Sequence, residues 1–338
     1  MKHLLRQRTT ALLGLALVGL LLYAAPAHAA GSITCSSTSM TALSFASVNP
    51  LASQTASTAT LSYTCKNSDS AARSAMLCFS IGEPGGAQTS PRLMHKGTNT
   101  LQFQLYQDAG YSTVWGSQFF GSFLTPLQVK ITLGAGATTN RSATLYGQVL
   151  VNQTPAIPGS YTDAYADGDT ALTINDVSGS SPPSSCGSTS TNQYFPFTVS
   201  ATVTKQCTVT AGAASNINLG SVPSSQTNTS GNNSISVSCS NTTPYYIGLS
   251  PNSTASTTGA GTMSGTLGGN TDKVPYQLFS NAGLSTAWGN TATSTSVGNG
   301  VSGTGTGSAQ SIPVYAKAPS ANYTPDSYSD TVTVNVNY

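Results

Sequence analysis

Apolar and polar side chains alternate with period two in many short stretches of this chain. Thr60-Leu61-Ser62-Tyr63-Thr64, Leu101-Gln102-Phe103-Gln104-Leu105 and Ser234-Ile235-Ser236-Val237-Ser238 show it clearly. Successive side chains of an extended strand point to opposite faces, so each stretch predicts a strand with one buried face. Turn-forming Gly, Asn and Ser residues separate these strands, which is the pattern of β-sandwiches.

Two alternating stretches carry more information. In the middle of the chain Phe195, Phe197, Val199, Ala201 and Val203 alternate with Pro196, Thr198, Ser200, Thr202 and Thr204. At its end Thr331-Val332-Thr333-Val334-Asn335-Val336-Asn337-Tyr338 alternates up to the last residue. An apolar-faced strand at an open sheet edge leaves backbone groups unpaired and invites another chain to pair with it. Val332, Val334, Val336 and Tyr338 are therefore expected to border an unfinished groove. The central stretch has two readings. It fills the fold that precedes it, or it is an ordinary strand of the fold that follows.

An internal repeat sets the number of domains at two. The segment Gln104-Leu105-Tyr106-Gln107-Asp108-Ala109-Gly110-Tyr111-Ser112-Thr113-Val114-Trp115-Gly116 returns as Gln277-Leu278-Phe279-Ser280-Asn281-Ala282-Gly283-Leu284-Ser285-Thr286-Ala287-Trp288-Gly289, 173 positions later. Pro158-Gly159-Ser160-Tyr161-Thr162-Asp163 is echoed by Pro325-Asp326-Ser327-Tyr328-Ser329-Asp330. The repeat divides the chain into a leader (1–29), a first domain (30–192), a linking strand (193–205) and a second domain (206–338). Because Trp115 and Trp288 recur at equivalent places, they are expected in the two cores rather than at a binding surface.

The six cysteines follow the repeat as well. Each copy has one near its start and another about thirty residues on, which pairs Cys35 with Cys65 and Cys207 with Cys239; Cys78 and Cys186 then pair by elimination. The last bridge ties the tail of the first domain back to an early strand. With no Cys-x-x-Cys spacing, and His95 as the one histidine beyond the leader, the cysteines are read as structural and no metal or cofactor is expected. Asp163, Asp167 and Asp169 lack the spacing and closing Glu of a calcium loop and read as a solvated hairpin turn.

Lys2, Arg6 and Arg8 precede an apolar run from Ala11 to Leu22 and an Ala27-His28-Ala29 cleavage site, the organisation of a secretory signal peptide. Removing residues 1–29 takes three of the 12 basic residues and none of the 10 acidic ones, moving the net charge from +2 to −1. A chain of that charge is a poor ligand for nucleic acid. Only 7% of residues are charged and Ser, Thr, Gly, Val and Tyr abound, as in exported β-structure. Glu83 is the one glutamate, and no Gly-x-Ser-x-Gly or nucleophile–base constellation appears, so catalysis is not expected.

The early cysteine pairs, the Gly-x-Ser-Thr-x-Trp-Gly elements at Gly110 and Gly283, the Pro-x-Ser-Tyr-x-Asp turns and the Val-Thr-Val-Asn-Val-Asn-Tyr ending together give a resemblance. The chain resembles the spore coat protein U domain family, and within it the two-domain tip adhesins of Csu-type archaic chaperone-usher pili. The resemblance covers essentially everything after the leader. It implies an all-β fold of two incomplete immunoglobulin-like sandwiches in tandem, each completed by a donor strand. The implied partners are a periplasmic pilus chaperone, an outer-membrane usher and the next pilus subunit, whose N-terminal strand replaces the chaperone by β-augmentation. Export to the periplasm and display at the pilus tip follow. The expected direction of assembly agrees: the strand Phe195–Val203 serves the first domain, cleavage leaves nothing comparable before Cys35, and such a subunit accepts a strand without offering one.

Binding is expected from whatever the first domain has and the second lacks. After the shared Trp-Gly element, Ser117-Gln118-Phe119-Phe120-Gly121-Ser122-Phe123-Leu124-Thr125-Pro126 stands where the other copy has Asn290-Thr291-Ala292-Thr293-Ser294-Thr295-Ser296-Val297-Gly298-Asn299. Phe119, Phe120, Phe123 and Leu124 predict an exposed hydrophobic loop, with Leu93 and Met94 in a Pro91–His95 loop and Ala156 and Ile157 in a Thr154–Pro158 turn as companions. The resemblance implies that such loops act as hydrophobic fingers on an abiotic or host surface, promoting biofilm formation. Two other functions compete, a lectin-like adhesin for host glycans and a structural pilus or coat subunit, and the aromatics could instead close one end of a core.

Overall fold

A computed structural model describes residues 31–52, 54–84, 90–119, 125–187 and 191–338. The leader and the loop residues Phe120, Phe123 and Leu124 lie outside the described residues. Among the described residues the chain is strand, turn and irregular loop, with a short 3-10 turn at Ala213–Ser215. No helix there is long and apolar enough to cross a membrane.

The first half contains β1 (Ile33–Met40), β2 (Leu43–Val48), β3 (Thr55–Asn67), β4 (Arg73–Ile81), β5 (Arg92–Lys96), β6 (Asn99–Tyr106), β7 (Leu127–Leu133), β8 (Thr138–Val149), β9 (Gly159–Tyr165), β10 (Thr170–Ser178) and β11 (Phe197–Val203). The second contains β12 (Cys207–Thr210), β13 (Thr227–Cys239), β14 (Pro244–Pro251), β15 (Ala260–Gly265), β16 (Lys273–Phe279), β17 (Val301–Thr304), β18 (Ala309–Ser320), β19 (Tyr328–Ser329) and β20 (Val332–Asn337). Each half packs a large sheet on a three-stranded one. The orders are β1-β3-β8-β6-β5-β9-β11-β2 over β10-β4-β7, then β12-β13-β18-β16-β15-β19 over β17-β14-β20.

Two separate cores result, one drawn from Ile33 to Val203 and one from Cys207 to Val336. Burial follows the sequence alternation where a strand has one face in a core: Ala59, Leu61, Tyr63 and Cys65 of β3 are buried and Thr58, Thr60 and Ser62 are exposed. Strand β4 departs from it, being buried at all nine positions. Its inward residues Leu77 and Phe79 join the core. Its outward Cys78 is bonded to Cys186, in the segment that doubles back after β10. Asn175 Nδ2 donates to the Ser185 carbonyl at 3.0 Å and Ser74 Oγ to the Gly179 carbonyl at 2.8 Å, holding that segment down. The other bridges, Cys35–Cys65 and Cys207–Cys239, link the first two strands of each large sheet, as the repeat predicts, and Cys78–Cys186 is the pair left by elimination.

The repeated Gly-x-Ser-Thr-x-Trp-Gly element is architectural. In copy one Asp108 accepts from the backbone N–H of Gly110, Ser112 and Thr113, while in copy two Asn281 accepts from Ser285 and Thr286. Each closes a turn in which a non-glycine residue, Tyr111 or Leu284, takes the left-handed conformation. Each turn delivers a fully buried tryptophan whose indole N–H donates to a core-strand carbonyl, Trp115 to Phe79 at 2.8 Å and Trp288 to Ile247 at 2.9 Å. A buried indole without that acceptor would cost about 1–3 kcal/mol, which accounts for both the tryptophan and the turn.

Candidate functional site

The two copies differ at one slot. In domain one β11 lies between β9 and β2, antiparallel to β9 from Phe197↔Tyr165 to Val203↔Gly159 and parallel to β2 from Val199↔Leu43 to Val203↔Val48. Phe197, Val199, Ala201 and Val203 all point into the core, and Phe195 just before the strand is fully buried. Of the two readings left open for this stretch, the register places the strand in domain one.

In domain two the same slot is a groove. β19, which repeats the Ser-Tyr-x-Asp of β9, ends the large sheet, and β20 pairs with β14 alone. The segment after Cys207, which in copy one forms β2, here contributes Ile217 and Leu219 without joining a strand. Between these lies a cavity of about 580 Å³ floored by Ile235, Leu249, Leu278 and Val314 and walled by Met263, Tyr276, Val332 and Val334. It continues past Ile217 and Leu219 into a second of about 490 Å³ toward Val274 and Tyr323. Val332, Val334 and Val336 are half-buried and pack against the core from the groove edge, whereas Tyr338 is 41% exposed beyond the end of β20. The groove has an apolar floor and polar margins, among them Asp330, whose carboxylate accepts from Ser253 Oγ at 2.6 Å and Tyr276 OH at 2.8 Å.

A second candidate region lies at one end of domain one. Strand directions put the roots of the 82–91, 107–126 and 166–169 connections together there. Ile81 N–H donates to the Gly116 carbonyl at 2.9 Å and Gly82 N–H to Asp169 at 2.7 Å. Arg92, buried at the start of β5, binds them further: its guanidinium donates to the carbonyls of Ile81 and Trp115 and to Gln104, and pairs with Glu83 at 3.2 Å. From this base Phe119 emerges 45% exposed, beside half-buried Gln118 and buried Ser117.

The companion segments do not form exposed loops beside it. Pro91–His95 was expected as a loop, but Arg92–Lys96 is a strand, so Met94 alternates into the core and is fully buried while Leu93 is half-buried. The Thr154–Pro158 turn sits at the opposite end of the large sheet, where β8 ends and β9 begins. There Ala156 is buried and the Ile157 carbonyl accepts from Tyr161 OH at 2.9 Å. Asn241 of domain two donates to the Pro155 carbonyl at 2.9 Å, and Gly307 abuts Thr154. Met94 and Ala156 are thus core residues, corrected from the surface role expected of them, whereas Ile157 is half-buried in a turn at the junction end of the domain. The aspartate cluster also divides: Asp167 and Asp169 form the β9–β10 turn, but Asp163 is buried. Among the described residues no group of three His, Cys, Asp or Glu side chains could hold a metal.

The buried carboxyls have a pH consequence. Burial pushes Glu83 up to about 7 against the pull of Arg92, and pushes Asp163 up to about 6. In domain two Asp326 is held at about 2, because hydrogen bonds from Leu267, Asn270, Thr266 and Ser327 outweigh its burial. A carboxyl raised in the folded state contributes stability that is complete below its ordinary value and lost as pH rises through the folded one. Domain one is therefore expected to gain on the order of 2 kcal/mol as pH falls from about 7.5 to about 5. Domain two has the opposite sign and loses stability only below about pH 4. Calorimetry with Glu83→Gln, which should make the first profile shallower, leaving the part due to Asp163, and should not change the second, checks this.

With both sites described, family comparison decides the lineage. The Spore Coat Protein U domain profile matches the chain twice, over residues 22–166 and 193–335. The chain belongs to the Spore Coat Protein U domain family. The family boundary at residue 193 falls at the linking strand, so the second Spore Coat Protein U match includes β11 although the strand folds into domain one. Among solved structures, the chain is similar to one in the CsuC-CsuE chaperone-tip adhesion subunit pre-assembly complex from archaic chaperone-usher Csu pili of Acinetobacter baumannii. The match has 15% identity and a TM-score of 0.46 and covers 90% of this chain and 100% of that one. It is also similar to a tip adhesin of Pseudomonas aeruginosa, at 14% identity, a TM-score of 0.35 and coverage of 90% and 94%. No curated protein matches the Spore Coat Protein U chain significantly.

Proposed function

We propose that this protein is the tip adhesin subunit of a chaperone-usher pilus. Domain two accepts a strand to join the fibre, and domain one attaches the cell to surfaces, supporting biofilm formation. The observation that carries the reading is the apolar groove of domain two, at the slot that β11 fills in domain one of the same chain. A half-apolar groove between two strand edges is a site for β-augmentation, in which main-chain hydrogen bonds give affinity and alternate side chains give specificity. The successive occupants are a periplasmic chaperone, presenting the subunit to the outer-membrane usher, and then the N-terminal strand of the next subunit. Attachment is assigned to Phe119, exposed at the end of domain one away from the junction, together with Phe120, Phe123 and Leu124 that follow it in sequence. Burying such side chains against an apolar surface needs no shaped pocket.

Melting of the mature chain with and without a peptide copying residues 193–205 tests the groove. A ligand at a hundred times its Kd stabilises by about 2.7 kcal/mol, so the transition of domain two should rise by roughly 10 °C. A domain two that melts cooperatively at one temperature whatever the peptide concentration would be self-sufficient, and the pilus assignment would fall with it.

A further inference from the structure

Strand β11 enters its slot at the Phe119 end of domain one and leaves it at the junction with domain two. The junction has no slack. Thr204 donates to the Val48 carbonyl through N–H and Oγ1 at 3.0 and 3.2 Å. Two residues on, Gln206 N–H donates to Ser240 Oγ at 3.0 Å and Ser240 N–H to the Gln206 carbonyl at 2.8 Å. A pull between a surface held at the Phe119 end and a fibre held by domain two therefore reaches domain one at the C-terminal end of β11, directed along its axis. The ladder bonds to β9 and to β2 then share the load together, instead of opening one after another as in a peeled strand.

Behind β11 the chain leads back to Cys186, which is bonded to Cys78. That residue is fully buried in β4, the middle strand of its sheet, paired on both sides with β10 and β7. Domain two has no third bridge, its two cysteines being joined to each other.

We propose that β11 and the Cys78–Cys186 bridge form a two-stage device for bearing tension, a strand held in shear backed by a covalent stop. That the chain is pulled at all rests on the adhesin reading; the mechanical behaviour does not. When β11 gives way, only residues 187–203 come free, because the bridge passes the load to β4. Fully extended, those 17 residues span at most about 60 Å at 3.3–3.6 Å each, and the step is shorter by the distance their ends already cover in the fold. Without the bridge β10 and β9 follow, and residues 159–203 release up to about 150 Å.

Single-molecule stretching of the mature chain tests this, with one handle on p-azidophenylalanine in place of Phe119 and the other at exposed Thr208, so that domain two lies outside the load path. The expected trace is a first step of no more than about 60 Å, a halt, and a further, longer step when dithiothreitol is added to the halted molecule. In that reaction a reagent thiolate attacks one bridge sulfur and releases the other cysteine as a thiol. The reagent's second thiol then frees the first cysteine and leaves the reagent as its cyclic disulfide. The variant Cys78→Ala/Cys186→Ala should omit the halt; if it does not fold, the reduction arm decides alone. A first step well beyond 60 Å with the bridge intact, or no added extension on reduction, would overturn the device. Neither result depends on whether the protein adheres to anything.

Discussion

Val199→Asp is expected to unfold domain one and leave the melting of domain two unchanged. Val199 is fully buried between Leu43 of β2 and Asp163 of β9. Losing its burial costs about 1.5–3 kcal/mol, and an unpaired carboxylate in an apolar slot costs several more. Asp163 lies directly opposite on β9, so the new carboxylate would face a second one at the same place. The total reaches the net stability of a typical domain, about 5–15 kcal/mol. The matching substitution on the outward face, Thr198→Asp, should change stability by no more than about 0.5 kcal/mol. Differential scanning calorimetry separates the outcomes, since a Val199→Asp chain with two normal transitions would mean that β11 is dispensable to domain one.

The triple variant Phe119→Ser/Phe120→Ser/Phe123→Ser is expected to abolish attachment to apolar surfaces while leaving both melting transitions and pilus assembly intact. Three phenylalanines buried against a surface would contribute roughly 4–9 kcal/mol, and at about 1.4 kcal/mol per decade their loss lowers affinity by at least a thousandfold. Quantitative adhesion to polystyrene alongside calorimetry checks both halves. If melting falls with adhesion, the loop closes the core instead. If simple sugars inhibit attachment of the unmodified protein, the lectin-like function is correct and the surface is a glycan.

Some of this molecule is plain in its sequence because the determining interactions are local or repeated. Alternation with period two fixes which face of β3, β6, β13 and β20 turns inward, and a face-wide error would bury a row of threonines and serines. Duplication supplied what no single copy could: the cysteine pairing and the structural role of Trp115 and Trp288 both follow from appearing twice. The difference at Phe119 was visible for the same reason. Strand β4 was not legible, because a strand covered on both faces has no alternation, and its second cover arrives from Cys186, 108 residues away. The buried Arg92–Glu83 pair was equally hidden, since its partners are mostly backbone carbonyls that any sequence provides.

Pattern and repeat by themselves determined an all-β chain of two related domains, three bridges and an amphipathic strand between the copies. They could not decide which sheet that strand joins, since alternation records which face is buried and not against what. The pairing of β11 with both β9 and β2 made that decision. Nor could they place the loops. Met94 and Ala156 are apolar residues near turn formers in sequence, yet strand direction sends one into the core and the other to the far end of the sheet. Exposure and convergence are properties of chain path, set by contacts between residues distant in sequence, and only the tertiary structure contains them.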